Sequence, residues 1–322
     1  MKDLNILAIE SSCDDTCAAI LRNDSVLSSI VFSQNDHKNF GGVVPEIAST
    51  AHLKKIRQVV RDAILQSKLE EKDINLIVYT KEPGLLGSLL VGKCFAESYS
   101  FAKTIPCIGI NHIKGHIFSP FLNKNFFAKF PHICLSVSGG HTQLILVESL
   151  QKFEIIGETL DDAVGEAFDK IGKMLGLEYP AGPLIEKFSE KGFDKFIFSN
   201  TIVNDLNYSF SGIKTAFMNF LKKNIDTNKN FIEENLSDIC FSIQKKLVDM
   251  LIGKLKKSLE IYKEIKAISV VGGVACNSFL KNSIYDIAKK KNLEFYFPEK
   301  KFCTDNAAMI GLVGYFEFLN IN

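Results

Sequence analysis

The sequence predicts an α/β fold built from two duplicated halves, each a sheet with helices on its faces. Three observations predict it. First, Ile133 to Val147 reads as two apolar β-type runs flanking a polar corner, Ser138-Gly139-Gly140-His141-Thr142. Glycines in such a corner permit positive φ and let a ligand reach backbone N–H groups. Second, the chain opens on the same design. Ile6 to Glu10 is an apolar run, Ser11 to Thr16 a polar corner and Cys17 to Leu21 a return run, about 127 residues before the second hairpin. A repeat of this kind points to a duplicated domain, with one corner from each half expected at a shared cleft. Third, the remaining pattern is mostly strands followed by helices, which suits sheets covered on their faces. With 322 residues, of which 46% are hydrophobic, the chain can fill two cores of ordinary size.

The elements follow in order. Val26 to Phe32 is a third strand, and a polar loop with His37 and Gly41-Gly42 comes next. Pro45 to Lys68 predicts a long amphipathic helix with Ile47, Ala51, Ile56, Val59, Val60, Ala63 and Ile64 on one stripe. Its other face carries Lys54, Lys55, Arg57 and Arg61, a solvated face or a phosphate-binding one. Leu76 to Thr80 is a buried strand, and a helix is expected from Ser88 to Lys103. Gly87 to Cys94 nearly matches the phosphate-binding pattern GxxxxGK[ST]. Cysteine cannot replace the hydroxyl that pattern places on magnesium, and Leu89, Leu90 and Val91 suit the buried face of a helix already under way. The helix reading is preferred.

Pro106 to Asn111 is a short strand, followed by His112-Ile-Lys-Gly-His116. After the second hairpin and its third strand, Phe153 to Gly157, residues Asp161 to Lys170 predict a helix with an acidic first turn. Tyr179 to Pro183 breaks the chain before a further helix, and Ser209 to Thr215 starts another. Asn224 to Asn230 reads as a polar linker, and Phe231 to Tyr262 as one or two helices. Ala267 to Val271 is a strand ending in Gly272-Gly273, with Asn277 at the head of a helix. Leu293 to Phe297 is the last strand, and Phe302 to Asn306 caps an apolar helix through Leu319.

Composition excludes several classes. A formal charge of +1 announces neither a nucleic-acid nor a membrane partner, and among 38 basic residues only Arg22, Arg57 and Arg61 are arginines. No basic lead-in with an apolar run opens the chain as a signal peptide does, and no apolar run reaches the roughly 18 residues of a membrane helix. Eight scattered cysteines without CxxC suit reduced thiols. A cytoplasmic protein is expected.

Three features compete as a reaction centre. His112 and His116 stand four residues apart, the interval that puts two imidazoles on one helix face. Such a pair suits zinc or iron(II) once a carboxylate joins it, and Asp305 and Asp14 are candidate donors. Lys114 lies between the histidines, so the HExxH arrangement of metalloproteases, with its built-in base, is absent. The glycine corners at Ser138-Gly139-Gly140, Gly182 and Gly272-Gly273 are the second feature; together they suggest a nucleotide cradle. The third is the set of acids Asp14-Asp15, Asp161-Asp162, Glu166 and Asp169, read as caps, ion-pair partners or ligands of ribose or a metal-bound water.

Taken together, IESSCDDT, GGVVPEIAS, PGLLGSLLVGK, NHIKGH, SVSGGHT, ETLDDAVGEAFDKIGKMLGL, YPAGP, SFSGIKTA, GGVACNS and CTDNAAMI span nearly the whole chain. They resemble, in order, the signature segments of the bacterial tRNA threonylcarbamoyladenosine transferase family TsaD, whose older name is O-sialoglycoprotein endopeptidase. The resemblance implies the duplicated actin/sugar-kinase/Hsp70 ATPase fold (ribonuclease H-like), two lobes around a central cleft. It places residues 1–110 with about 303–322 in the N-terminal lobe and 111–302 in the C-terminal lobe. It also implies one divalent metal held by His112, His116 and Asp305, with iron(II) first and zinc or magnesium as alternatives. The adenylate intermediate would be bound by Ser136, Val137, Ser138, Gly139, Gly140, Asp169, Gly182, Glu186 and Asn277.

The implied activity is transfer of threonylcarbamoyl from threonylcarbamoyl-AMP to the exocyclic N6 amine of adenosine 37, in tRNAs that read ANN codons. Asp14 is the candidate base. The implied partners are tRNA, the paralogous protein TsaB and the small ATPase TsaE, in a multi-protein complex. Four residues depart from the family pattern: Ala181 replaces a glycine, Thr50 and Lys281 replace arginines, and Lys114 stands where glutamate is usual. None is an implied ligand, but the arginine losses touch a tRNA or partner contact. Three rivals remain open at this point. A metalloendopeptidase would need a water-activating carboxylate beside the histidines. A non-catalytic actin-like scaffold would not need His112, His116 and Asp305 together, and a sugar phosphotransferase of the same superfold would transfer phosphate.

Overall fold

The computed structural model describes residues 3–34, 37, 43–124, 128–199 and 203–321; Gly41-Gly42 of the predicted polar loop lies outside them. Two compact units emerge, Met1–Phe127 with Pro298–Asn322, and Ala128–Phe297.

In the first unit, β1 (Asn5–Glu10), β2 (Asp15–Arg22) and β3 (Ser25–Ser33) form an antiparallel meander. Strands β4 (Leu76–Glu82) and β5 (Cys107–Asn111) join it in parallel, giving the order β3-β2-β1-β4-β5. β1 and β2 are buried on both faces and so read as continuous apolar runs rather than alternating ones. One face is covered by α1 (Pro45–Ser67) and α2 (Leu86–Lys103). Against the other lie α3 (His112–Phe118) and the apolar helix α9 (Ala307–Ile321).

The second unit repeats this topology. β6 (His132–Val137), β7 (Thr142–Val147) and β8 (Phe153–Glu158) are antiparallel. Strands β9 (Ala267–Val271) and β10 (Glu294–Tyr296) add in parallel, giving β10-β9-β6-β7-β8. Its core is completed by α4 (Val164–Met174), α5 (Gly182–Ser189), α6 (Ser211–Thr227), α7 (Phe231–Ile261) and α8 (Ser278–Lys290). The repeated hairpin is thus β1–β2 and β6–β7, at matching places in two sheets of one topology.

Several expectations are corrected. The unit boundary falls at 127/128 and 297/298 rather than 110/111 and 302/303, because α3 packs on α9 and keeps both candidate histidines in the first unit. In α1 the early buried residues are Ala48 and His52, not Ile47 and Ala51. His52 can be buried because both ring nitrogens are satisfied, by Thr16 Oγ1 at 2.8 Å and the Cys13 carbonyl at 2.9 Å. Gly87 to Lys93 does sit inside a helix, but the buried stripe is Ser88, Gly92 and Ala96 while Leu90 is exposed. A Cβ on Gly92 would collide with Ser11 Oγ, so the small residue lets α2 lie against the first polar corner. Asp161 and Asp162 precede α4 instead of forming its first turn, since Asp161 is committed to the start of α6. The predicted linker at 224–230 is helical through Thr227, and α7 is a single helix of 31 residues. Among the described residues, no helix is long and apolar enough to cross a membrane.

Candidate metal centre and ligand-binding corner

The first site is built where β5 hands over to α3. Asn111 caps that helix by accepting the Lys114 backbone N–H at 3.1 Å, so His112 begins the helix and His116 follows one turn later. Both imidazoles are buried, packed edge to face with ring centroids 4.7 Å apart. Asp305 comes from the turn before α9. Its Oδ1 lies 3.0 Å from His116 Nε2 and 3.6 Å from His112 Nε2. One candidate ligand atom from each of the three residues lies within 4.8 Å of the others.

That donor set fits a divalent ion. Ligands about 2.1 Å from a common metal stand roughly 3.0 to 3.4 Å apart at octahedral or tetrahedral angles, close to the two distances from Asp305 Oδ1 to the imidazoles. Two imidazoles and a carboxylate on one side, with positions left for other ligands, suit iron(II), zinc or a similar cation. Asp14, the other candidate donor, is not part of the set.

Behind His112 stands Glu10, the last residue of β1 and almost wholly buried. Its Oε2 lies 3.0 Å from His112 Nδ1. Sequence reasoning missed this carboxylate, although a charge closing an otherwise apolar strand is the signal that could have found it. Burial alone would push the His112 imidazole down, but the Glu10 and Asp305 carboxylates raise it to about 9. Burial likewise works against ionised Glu10, yet the adjacent imidazole holds its carboxyl below the usual range. Binding a cation at Nε2 therefore displaces a proton.

Asp14 lies in the β1–β2 corner, which is tied down from behind. The Cys13 carbonyl accepts from His52 Nε2 and from Ser88 Oγ at 3.0 Å, fastening the corner to α1 and α2. Next to it, Asp15 is pushed up to about 6, mainly by burial and then by Asp14, Asp305 and Glu10, against a hydrogen bond from Ser33.

The second site lies at the carboxyl ends of β6 and β9, where open α/β sheets hold their ligands. Ser136 and Val137 are buried in β6, with the Val137 side chain in the core, so only its backbone is available there. The corner itself is open: a Cβ on Gly139 or Gly140 would meet nothing within 4 Å. Ser138 Oγ accepts the N–H groups of Gly140 at 3.3 Å and His141 at 3.0 Å, which folds the corner back on itself. The Gly165 N–H donates to the Ser138 carbonyl at 3.2 Å, bringing the start of α4 against the corner. Gly272 closes the other side with φ of 92°, and a Cβ there would strike the Val137 carbonyl.

Asp169, Glu186 and Asn277 each make hydrogen bonds within this unit, and the Gly182 amide is turned toward Asp169. Asp169 Oδ1 accepts the Ala181 N–H at 2.7 Å, and burial pushes its carboxyl up despite the pull of the Ala181 and Gly182 amides. Glu186 Oε1 accepts the Ser278 N–H at 2.7 Å. Asn277 caps α8 through Leu280 N–H at 3.0 Å, while its amide donates to Gln244 Oε1 at 2.7 Å. Gln244 in turn reaches Ser189 on α5 at 2.9 Å.

The four departures have local accommodations. The Ala181 methyl fills the space that Gly172 leaves, since a Cβ on Gly172 would collide with it. Lys114 turns to Glu317 on α9, with Nζ 2.6 Å from Oε1. Lys281 lies over the Phe297 ring at 4.0 Å. Thr50 borders a surface concavity of about 570 Å³ between β3 and α1, shared with Lys54 and Lys55.

Comparison with known proteins gives a consistent answer. Residues 25–312 match the family model described as TsaD, tRNA N6-adenosine threonylcarbamoyltransferase. Proteins of that name from Christiangramia forsetii and Cytophaga hutchinsonii are 47% and 46% identical, covering 98% of this chain and 94% and 92% of their own. One from Porphyromonas gingivalis is 43% identical over 99% of this chain and 94% of its own. Among solved structures, component A of (R)-2-hydroxyglutaryl-CoA dehydratase from Acidaminococcus fermentans aligns with a TM-score of 0.57 at 12% identity, covering 98% of each chain. HypF from T. kodakarensis aligns with a TM-score of 0.62 at 13% identity, over 99% of this chain and 48% of its own. At such identities the likeness speaks for the actin-like ATPase fold alone.

Proposed function

The chain belongs to the tRNA N6-adenosine threonylcarbamoyltransferase family, and from that premise we propose a specific reaction for it. The donor is threonylcarbamoyl-AMP and the acceptor is the N6 amine of adenosine 37 in tRNAs that read ANN codons. The protein acts in the cytoplasm within a complex that includes TsaB and TsaE. The observation that carries the catalytic reading is the convergence of His112 Nε2 and His116 Nε2 on Asp305 Oδ1.

In this reaction the amine nitrogen attacks the carbamoyl carbonyl carbon, the carbon–oxygen bond to phosphate breaks, and AMP leaves with the electron pair. The amine proton passes to a base, a role given to Asp14. No serine or cysteine nucleophile is needed, because the mixed anhydride is already activated. His112, His116 and Asp305 would hold a divalent ion, iron(II) first, which would supply positive charge to the carbonyl and phosphate oxygens. Ser136 and the backbone of Val137, Ser138, Gly139 and Gly140 take the phosphate end of the adenylate, whose open corner offers backbone approach. Asp169, Gly182, Glu186 and Asn277 frame the nucleoside end, held rigid by the hydrogen bonds that join α4, α5 and α8.

Reconstitution tests this reading. Purified protein is supplied with threonylcarbamoyl-AMP, tRNA, TsaB and TsaE, and tRNA digests are analysed by mass. The threonylcarbamoyl adduct on adenosine 37 is expected. An unmodified adenosine 37 under those conditions, or ATP-dependent phosphorylation of a sugar instead, overturns it.

A further inference from the structure

The two candidate imidazoles are held very differently. Among the described residues nothing accepts from or donates to His116 Nδ1, whereas His112 Nδ1 faces Glu10 Oε2 at 3.0 Å and Ser12 Oγ at 3.3 Å. Glu10 is itself fixed. Its Oε1 accepts the Ser12 backbone N–H at 2.5 Å, and its Oε2 also receives the Thr80 hydroxyl from the neighbouring parallel strand β4. Three donors therefore point at one carboxylate that is 1% exposed.

We propose that Glu10 is a positioning residue that fixes His112 as its Nδ1–H tautomer and thereby turns the Nε2 lone pair toward Asp305. The inference rests on the metal reading given above. Its logic is an inventory of donors and acceptors. An ionised carboxylate only accepts, so the proton between Glu10 and His112 belongs to the ring, at Nδ1. With Nδ1 carrying hydrogen, only Nε2 can ligate, and Nε2 is the atom 3.6 Å from Asp305 Oδ1. A carboxylate behind a ligating histidine also makes the imidazole a stronger donor and stops its rotation. Thr80 and Ser12 stop the carboxylate from turning away.

The same geometry predicts an unusual severity for the nearly isosteric change Glu10→Gln. The Ser12 backbone N–H needs an acceptor, so the amide oxygen takes the Oε1 place and the amide NH₂ takes the Oε2 place. The NH₂ then donates to His112 Nδ1 and forces the hydrogen onto Nε2, where it blocks the metal.

Cobalt(II) titration of metal-free protein, followed by its visible absorption, provides the test. Glu10→Gln should bind cobalt(II) about 10- to 100-fold more weakly than wild type while melting within a few degrees of it. Zinc-loaded wild type, labelled with ¹⁵N-histidine, should show the His112 hydrogen at Nδ1, with the signal assigned by its loss in His112→Gln. This second measurement needs no Glu10 variant to fold. Wild-type cobalt affinity retained in Glu10→Gln, or a His112 hydrogen at Nε2, overturns the role of Glu10 and leaves the metal reading standing. Failure of wild type to bind either ion overturns both.

Discussion

Asp305 Oδ1 sits 3.0 Å from His116 Nε2, although 189 residues separate the two along the chain. Two imidazoles one helical turn apart are common, but a carboxylate from the opposite end of the sequence seated against both is not a local accident. Removing any corner of this triangle should remove the ion and the reaction together. His112→Ala and Asp305→Asn should each purify with little metal, by elemental analysis, and lose at least about 100-fold in transfer. A metal-free His112→Ala protein with full transfer activity would eliminate the ion from the chemistry.

Lys114 lies between the two histidines in sequence, and its partner is Glu317 across the α3–α9 contact. The lysine side chain is 12% exposed and the glutamate 30%, so the pair is screened less than a surface one. Lys114→Glu places two carboxylates together and should cost about 1 to 2 kcal/mol. Adding Glu317→Lys should recover most of that loss in urea unfolding. Equal stability of the single and double variants would mean the pair contributes nothing.

Much of this was legible because chain periodicity tracks burial. The strands and the hairpin repeat follow from apolar runs bounded by polar corners, and the HxxxH spacing fell on a helix as its interval requires. What escaped were features set by tertiary partners. His52 and Glu10 are polar residues inside the core, readable as buried only once Thr16, Cys13, Thr80 and His112 are in place around them. Asp161 looked like the first turn of its own helix but serves one that starts fifty residues later. The placement of α3 with α9 also depends on packing that no local pattern encodes.

Asp161 yields a prediction of its own. Its carboxylate accepts the backbone N–H groups of Phe210 at 2.7 Å and Ser211 at 3.1 Å, and the hydroxyls of Ser209 at 2.5 Å and Ser211 at 2.7 Å. It therefore caps α6 from outside. Asp161→Ala should cost about 1 to 2 kcal/mol, and Asp161→Asn less. Partial burial raises the carboxyl, but these donors outweigh it and hold it below its ordinary 3.8. The ionised form is thus favoured by folding, and its contribution is present above that value and lost as pH falls through it. The wild-type advantage over Asp161→Asn should hold at pH 5 and shrink only below about 3.8. An advantage that vanishes by pH 5 would show that the charge is not what caps the helix.

His132 carries the opposite sign. It opens β6 with its ring fully buried, stacked on Phe130 at 5.5 Å and edge-on to Tyr296 at 6.0 Å. Burial pushes the imidazole down to about 4 from its ordinary 6.5, against a weaker opposing pull from the Lys129 backbone. Between those values the unfolded chain holds a proton that the native chain refuses. Stability is therefore complete above about pH 6.5 and is lost as pH falls toward 4, by roughly 3 kcal/mol from this residue alone. His132→Phe keeps an aromatic ring in the stack and removes the titration. Its unfolding free energy should fall less steeply than that of wild type between pH 7 and 4.5, measured by urea unfolding at each pH. Other titrating groups act equally on both proteins, so the difference isolates this imidazole. Parallel curves for the two proteins would mean that the ring takes up its proton without disturbing the fold.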